Sequence, residues 1–309
     1  LNVEKKVGQV SSKLTAKAFR QACREYAGQQ ISIQREEFKR LGVIGDWEHP
    51  YLTMDFQFEA NIIRALGQII SRGHLQQGFK PVHWCVNCGS ALAEAEVEYA
   101  DKISPAIDVR FRVIDDADFL SRISNDAGHS PIVIPIWTTT PWTLPANEAV
   151  TLNPDIEYVL VQTETERLLI SESLLPSCMQ RYQITDYKRL GCATGKVFEG
   201  VILQHPFYHR QIPVILGEHV TIEAGTGAVH TAPAHGVEDY NVAQHYGLPL
   251  INPVGSNGCF LPGTALFEGE PVFKVNPLVI DQLREAKNLL KEENIKHSYP
   301  HCWRHKTPL

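Results

Sequence analysis

The sequence predicts an α+β protein in which a β-rich module is inserted into a helical or α/β host. Two observations support this prediction. Helical periodicity dominates before about Ala100, and short β-type runs separated by Pro, Gly, Asn and Asp follow that point. A further helical pattern closes the β-rich part. Helices, then many short strands, then a helix is the order expected for such an insertion.

The N-terminal part contains two predicted helices. Leu14–Leu41 has apolar residues near one helical face, and Gly42 follows where the helix would end. Asp55–Arg72 has an apolar stripe at helical spacing, and Gly73 stands at the C-terminal cap position. Both glycines therefore mark predicted helix ends.

The β-rich part combines short strands with few helices. The predicted strands are Ala106–Val113, Ile132–Thr138, Tyr158–Gln162, Arg167–Ser171, Gly200–Leu203 and Gln211–Ile215. The predicted helices are Ala117–Ser124, Val237–His245 and Pro277–Glu293.

The composition is that of a soluble globular protein. Of the 309 residues, 43% are hydrophobic and 21% are charged, and no apolar run is long enough to span a bilayer. The polar, Lys-rich N-terminus does not have the pattern of a signal peptide, so we expect a cytoplasmic protein. The net charge of -6 disfavours a dedicated nucleic-acid binder, but not an enzyme that contacts only an RNA end. Because the chain begins with Leu1, we expect it to be a piece of a longer protein.

Two short cysteine and histidine motifs predict a metal site. Cys85 and Cys88 are separated by two residues, as are Cys302 and His305, so each turn offers two ligands to one ion. Sulfur and imidazole ligands in a closed set of four favour structural zinc. The alternative is a reduced, metal-free pair of turns.

Two further segments are candidate sites. The first is a hydroxyl-rich loop at the end of a predicted strand, Thr138–Asn147, stiffened by two prolines. The second is Gly225–Tyr240, where glycines precede His230, His235 and Asp239. The first segment could instead be an ordinary strand edge, and the histidines of the second could be packed residues without a functional role.

Together these segments resemble the inserted editing domain of class I aminoacyl-tRNA synthetases, and the bacterial isoleucine branch fits best. The resemblance rests on the Thr-Thr-Thr-Pro-Trp-Thr-Leu-Pro run from Thr138, on Asn147, on the Gly-Thr-Gly-Ala-Val-His-Thr-Ala-Pro run from Gly225, and on Asp239-Tyr240. His305 departs from the pattern, since many relatives have a fourth cysteine there.

The resemblance implies an architecture and a set of partners. It implies a helical stub of a Rossmann-type catalytic domain at residues 1–84, a zinc-knuckle stalk at 85–100 and 294–309, and a barrel-like editing domain at 101–293. The implied partners are the acceptor end of tRNA(Ile) with its mischarged ester and the rest of the synthetase. The resemblance also implies a monomer. The family's two ATP signatures are absent from this sequence, so we expect a chain that cannot form aminoacyl-adenylate, with ATP used only by the full-length parent.

The implied activity is hydrolysis of mischarged Val-tRNA(Ile). A single binding pocket discriminates only weakly against an amino acid that is smaller by one methylene. Isoleucine-specific synthetases are themselves the known example, since their discrimination against valine is only about 150-fold. A second site must therefore accept the valyl ester and refuse the isoleucyl ester. The sequence contains no Gly-x-Ser-x-Gly nucleophile motif, so we expect an oriented water rather than a covalent intermediate.

The resemblance also implies a role for each site residue. Asp239 is expected to bind the substrate ammonium group, and Thr140 and Asn147 to hold the attacking water. The expected substrate-binding residues are Thr138, Thr139, Trp142, His230 and His235. Among these, His230 and Trp142 are expected to wall the side-chain pocket. The alternatives are a valyl-type editing domain and a non-catalytic module that binds the tRNA acceptor end.

Overall fold

A computed structural model of the chain describes residues 2–8, 10, 14–123 and 130–309. The chain divides into two units, Leu1–Gly78 and Phe79–Leu309. The predicted helix Ala117–Ser124 ends at a residue that lies outside the described ones.

The first unit is helical, as predicted. Its helices are α1 (Asn2–Val7), α2 (Ala16–Arg40) and α3 (Phe56–Ser71). The side chains of Thr15 and Asp55 accept hydrogen bonds from backbone N–H groups in the first turns of α2 and α3, respectively, which defines where each helix begins.

The second unit contains all twelve strands found in the described residues. Its elements are β1 (Trp84–Cys85), β2 (Ser90–Ala91), β3 (Val97–Val113), α4 (Asp116–Ile123), β4 (Ile132–Thr138), β5 (Ala149–Leu152), β6 (Glu157–Gln162), β7 (Arg167–Ser171), α5 (Leu175–Tyr182), β8 (Lys188–Thr194), β9 (Ile202–Gln204), β10 (Gln211–Leu216), β11 (Ala228–Thr231), α6 (Val237–Tyr246), α7 (Asn276–Glu285) and β12 (Leu289–Cys302). Short 3₁₀ turns lie at Glu94–Glu96, Pro141–Ala146, Glu172–Leu174 and Gly195–Phe198.

Ten of the strands form one mixed sheet in the order β11-β5-β10-β9-β3-β4-β7-β6-β8, with β12 also paired to β3. The pairs β5–β10 and β4–β7 are parallel, and the other pairs in this sheet are antiparallel. The strands β1 and β2 form a separate hairpin. This mixed sheet with helices confirms the α+β class.

The sheet curls without closing into a complete ladder. Its path ends at β11 and β8 in the described residues. Just before β11, the hydroxyl of Thr226 donates to the carbonyl of Pro135 in β4 at 2.7 Å, and the N–H of Ser171 donates to the carbonyl of Thr226 at 2.9 Å. The predicted barrel-like closure is therefore not confirmed, although the curl brings β11 beside β4. The Rossmann-type host stays a prediction.

Both faces of the central strands are buried. In β4, Ile132, Ile134 and Ile136 belong to the main core, whereas Val133 belongs to a second core that includes residues of α5. Burial on both faces explains why β4 reads as a continuous apolar run rather than an alternating one.

One helix prediction was wrong over its second half. The predicted helix Pro277–Glu293 ends at Glu285, and the chain turns at Lys287, whose φ is +59°. From Leu289 it continues as β12, which pairs with β3 along thirteen residue pairs. Pairing with a long neighbouring strand overrides the helical preference of a Lys- and Glu-rich segment.

Candidate functional site

The four predicted metal ligands lie together at the hairpin β1–β2 and the end of β12. The ligand atoms of Cys85, Cys88, Cys302 and His305 all lie within 4.8 Å of one another. The hairpin turn presents the first pair, and the turn after β12 presents the second pair. The strand pairing of β3 with β12 brings the two turns together across roughly two hundred residues of sequence.

The spacing of these atoms fits a tetrahedral ion. The Sγ atoms of Cys88 and Cys302 are 3.7 Å apart, and the Nδ1 atom of His305 lies 3.2 to 4.0 Å from the three sulfurs. Zinc with ordinary bond lengths requires about 3.8 Å between sulfurs and about 3.6 Å between sulfur and nitrogen. A histidine fourth ligand therefore leaves the donor set suited to a metal.

The threonine run forms a chain of hydroxyl groups at the end of β4. The Oγ1 atoms of Thr138 and Thr140 are 3.2 Å apart, and the Oγ1 atoms of Thr140 and Thr143 are 3.5 Å apart. The polypeptide then enters the 3₁₀ turn Pro141–Ala146, and the hydroxyl of Thr143 donates to the carbonyl of Thr140 at 2.9 Å. The turn therefore folds the hydroxyls back toward the strand that carries them.

His230, in β11, contacts this turn directly. Its Nε2 atom lies 2.9 Å from Oγ1 of Thr143, and its Nδ1 atom lies 3.4 Å from Nδ2 of Asn147. Because the Thr143 hydroxyl donates elsewhere, Nε2–H donates to Thr143 and Nδ1 accepts from Asn147. Burial lowers the pKa of His230 to about 4, with His235 contributing further, so the ring is neutral at pH 7.

Asn147 is fully buried beneath this contact. Its Nδ2 atom donates to the carbonyl of Ala149 at 2.8 Å, while its Oδ1 atom has no hydrogen-bond partner among the described residues. The buried oxygen is thus an acceptor that remains available for a donor.

Asp239 lies in the first turn of α6. One carboxylate oxygen accepts the N–H of Ala232 at 2.9 Å, which ties it to the segment that follows β11. Burial raises the pKa of Asp239 to about 6, the Ala232 hydrogen bond opposes that rise, and neighbouring Glu238 adds to it. The group is therefore a partly desolvated carboxylate that still ionises at neutral pH.

Trp142 and His235 form a second contact beside the turn. Their rings meet edge to face with centroids 5.0 Å apart, and the N–H of Trp142 donates to Asn276 in α7 at 3.1 Å. Burial lowers the pKa of His235 to about 4, so this imidazole is also neutral. Thr139 is half-buried.

The structure joins four of the eight predicted substrate and catalytic residues, while Trp142 and His235 form a separate ring contact and Asp239 is tied to Ala232. Hydrogen bonds join Thr138, Thr140, Asn147 and His230 through Thr143, a residue to which sequence reasoning assigned no role. Its position three residues after Thr140, in a Pro-started turn, is a signal that could have suggested the contact. The metal cluster forms a separate group on the β1–β2 hairpin.

The chain belongs to the family described as tRNA synthetases class I (I, L, M and V), whose model matches residues 1–294. Within that class, the similar curated proteins are isoleucine–tRNA ligases. The protein from Legionella pneumophila (strain Lens) is 59% identical over 309 residues, and that from Thioalkalivibrio sulfidiphilus is 61% identical over 310 residues. Each alignment covers all of this chain and 33% of the relative, so the chain spans about a third of their length.

Solved structures of leucyl-tRNA synthetase editing domains are more distant. The Plasmodium falciparum cytosolic domain is 12% identical with a TM-score of 0.46, covering 62% of this chain and 99% of that one. The P. knowlesi domain is 11% identical with a TM-score of 0.48, covering 63% and 97%.

No helix in the described residues is long and apolar enough to cross a membrane.

Proposed function

We propose that the second unit hydrolyses Val-tRNA(Ile), removing valine that has been wrongly attached to the tRNA. One observation carries the proposal. The 3₁₀ turn Pro141–Ala146, called the threonine turn below, contacts β11, far away in sequence, through the 2.9 Å contact between Thr143 and His230. Membership of the class I family supports a synthetase context for this site.

The proposed chemistry is attack by an oriented water on the aminoacyl ester. The hydroxyl of Thr140 and the unpartnered Oδ1 of Asn147 would orient that water. Positioning accounts for the catalysis, because an ester of this type is already reactive. His230 is not the base, since its pKa is about 4 and its two ring nitrogens are engaged by Thr143 and Asn147.

Asp239 would bind the α-ammonium group of the substrate. A desolvated carboxylate gains more from an opposite charge than one in water does, because the local dielectric is lower. A bound ammonium group also lowers the carboxylate pKa from its raised value of about 6, so binding favours the ionised form.

The proposed size selection depends on a rigid wall. His230 and Trp142 would bound the pocket for the amino-acid side chain, with Thr138, Thr139 and His235 completing its lining. Both wall residues are fixed, His230 by its ring hydrogen bonds and Trp142 by its backbone bond to Asn276. If the pocket fits valine and its wall cannot move, the additional methylene of isoleucine overpacks it. Such overpacking costs about 1–3 kcal/mol.

The rest of the chain would support this site. Residues 1–84 would be a stub of a Rossmann-type catalytic domain, 85–100 and 294–309 a stalk, and 101–293 a barrel-like editing domain. Cys85, Cys88, Cys302 and His305 would hold a zinc ion whose contribution is folding energy. The parent would be a monomeric cytoplasmic ligase that uses ATP and binds tRNA(Ile).

The test is hydrolysis of Val-tRNA(Ile) by this chain and by its Asp239→Ala variant. The proposal predicts turnover by the wild type and a loss of about 100-fold in kcat/KM in the variant, equivalent to a charge-assisted contact of about 3 kcal/mol. Undiminished hydrolysis by the variant contradicts the ammonium role. A wild type that binds charged tRNA without hydrolysing it favours the non-catalytic module, and preference for a threonyl ester favours the valyl-type domain.

A further inference from the structure

The loop between β9 and β10 is built to hold a fixed shape. The N–H of His205 donates to the carbonyl of Arg210 at 3.0 Å, closing the loop at its base. The amide nitrogen of Gln204 donates to the carbonyls of Tyr208 and Arg210 at 2.7 and 3.1 Å. The ring of Tyr208 also stacks on that of His205, with centroids 4.8 Å apart.

His205 points from this loop to the threonine turn. Its Nδ1 atom accepts the N–H groups of Phe207 and Tyr208 at 3.3 and 3.1 Å, so the proton resides on Nε2. Nε2–H therefore donates to the carbonyl of Leu144 at 3.1 Å. Burial lowers the pKa of His205 to about 3, which keeps the ring in this neutral form.

Arg210 contacts the same turn one residue further on. Its guanidinium donates to the carbonyl of Pro145 at 3.3 Å and to the carbonyl of Asn147, and it pairs with the carboxylate of Glu148 at 3.0 Å. Two carbonyl contacts and one carboxylate contact fix the segment more firmly than a single hydrogen bond would, because the guanidinium is planar and always charged.

The turn needs such partners at its C-terminal end. Within it, the carbonyl of Leu144 accepts only the N–H of Asn147 at 3.0 Å, the carbonyls of Pro145 and Asn147 lie past this last bond, and Pro141 and Pro145 supply no N–H groups. On the opposite side, the N–H of Glu148 donates to the carbonyl of Thr231 at 2.9 Å. Asn147 is therefore held between the loop and β11, with its side chain directed at His230.

We propose that His205 and Arg210 are positioning residues for the hydrolytic site. By capping the carbonyls of Leu144, Pro145 and Asn147, they set the orientation of the Asn147 side chain and, through it, the His230 ring. This inference rests on the proposed function for its catalytic consequence. A displacement of about 1 Å in such a group costs up to about 100-fold in rate.

Two substitutions of His205 separate this role from loop stability. In His205→Asn the side-chain oxygen still accepts the loop N–H groups, but the amide is too short to reach Leu144. In His205→Gln the amide nitrogen reaches Leu144. We expect the Asn variant to lose about 10- to 100-fold in kcat for Val-tRNA(Ile) with KM changed less than about twofold. The Gln variant is expected to recover most of that loss.

Arg210→Met has a matched control elsewhere in the sheet. Arg167 likewise donates to a backbone carbonyl, that of Ser130 at 2.6 Å, and pairs with Asp116 at 2.6 Å. We expect both Met variants to be less stable, but kcat to fall only when Arg210 is replaced. Equal losses of kcat in the two variants, or an unchanged kcat in Arg210→Met and His205→Asn, overturn the positioning role.

A second readout does not depend on turnover. The imidazole ¹⁵N shifts of His230 report which nitrogen carries the proton. We expect the Nε2–H form in the wild type and a mixed population in His205→Asn and Arg210→Met. If the wild type does not hydrolyse Val-tRNA(Ile) but the imidazole shifts follow this expectation, the proposed function is contradicted and the positioning role is not. Unaltered His230 shifts in both variants contradict the positioning role.

Discussion

At the residue scale, burial shifts the pKa of the carboxyl group of the site in one direction and the pKa values of its imidazoles in the other. Burial raises the pKa of Asp239 to about 6 and lowers those of His230 and His235 to about 4. In each case the charged form is disfavoured. At neutral pH the result is an ionised carboxylate at Asp239 and uncharged imidazoles at His230 and His235, a distribution suited to a cationic substrate group.

This distribution predicts a pH dependence. As the pH falls through about 6, Asp239 takes up a proton and loses its attraction for the ammonium group, so kcat/KM for Val-tRNA(Ile) should fall about tenfold per further pH unit. The histidines titrate about two units lower and do not cause this fall. The measurement is kcat/KM from pH 4.5 to 8, corrected for spontaneous ester hydrolysis.

Asp239→Asn is the matched variant for that profile. It keeps an acceptor for the N–H of Ala232 but has no titrating group, so its residual activity should not show the midpoint near pH 6. A fall with the same midpoint in both proteins assigns the titration to another group and contradicts the role of Asp239.

At the element scale, the strands and helices differ in how far sequence determined them. The bounds of β4 and β7 follow from local apolar runs, and α2 and α3 follow from periodicity with capping residues. The strands β5 and β11 have four residues each and no periodicity of their own. They exist because neighbouring strands pair with them.

The same distinction applies to the candidate site. Unusual composition marked the two segments that contain Thr140, Asn147, His230 and Asp239, and the family resemblance singled out these residues. The partners His205 and Arg210 could not be predicted, since they act on carbonyl groups across the fold and no local pattern indicates the contact.

A buried ion pair anchors the segment that leads into β11. Arg181 in α5 donates to both carboxylate oxygens of Asp108 at 2.8 and 3.0 Å, and also to the carbonyl of Gly225 at 3.1 Å. Asp108 is 1% exposed, so Arg181→Met would leave a nearly fully buried carboxylate without its charged partner. We expect a loss of about 3 kcal/mol in the free energy of unfolding, measured by denaturant titration.

The double variant Asp108→Leu, Arg181→Met controls for the lost packing. Because it removes both charges, it should recover much of the stability that the single variant loses. A single variant as stable as the wild type shows instead that the pair does not anchor this region.

At the scale of the whole molecule, the cluster of Cys85, Cys88, Cys302 and His305 lies beside the start of β3 and the end of β12. Cys85 and Cys88 precede β3, Cys302 ends β12 and His305 follows it, so one ion would hold both strands together. We expect one zinc ion per chain and a fall in the melting temperature of the second unit on chelation. Metal analysis and thermal unfolding measure the two effects.

Cysteine substitutions supply the control. Cys302→Ser should lower zinc binding and the melting temperature together, while Cys259→Ser, outside the cluster, should change neither. Full zinc binding by Cys302→Ser contradicts the assignment of that ligand.

The most direct measurement compares hydrolysis of Val-tRNA(Ile) and Ile-tRNA(Ile) by this chain and by its His230→Ala variant. The wild type is predicted to favour the valyl ester by at least about 10-fold, the scale that one methylene provides. Removing the imidazole is predicted to raise the rate for the isoleucyl ester toward that for the valyl ester. Equal rates for the two esters with the wild type, or undiminished selectivity in the variant, contradict the claim that His230 bounds a valine-sized pocket.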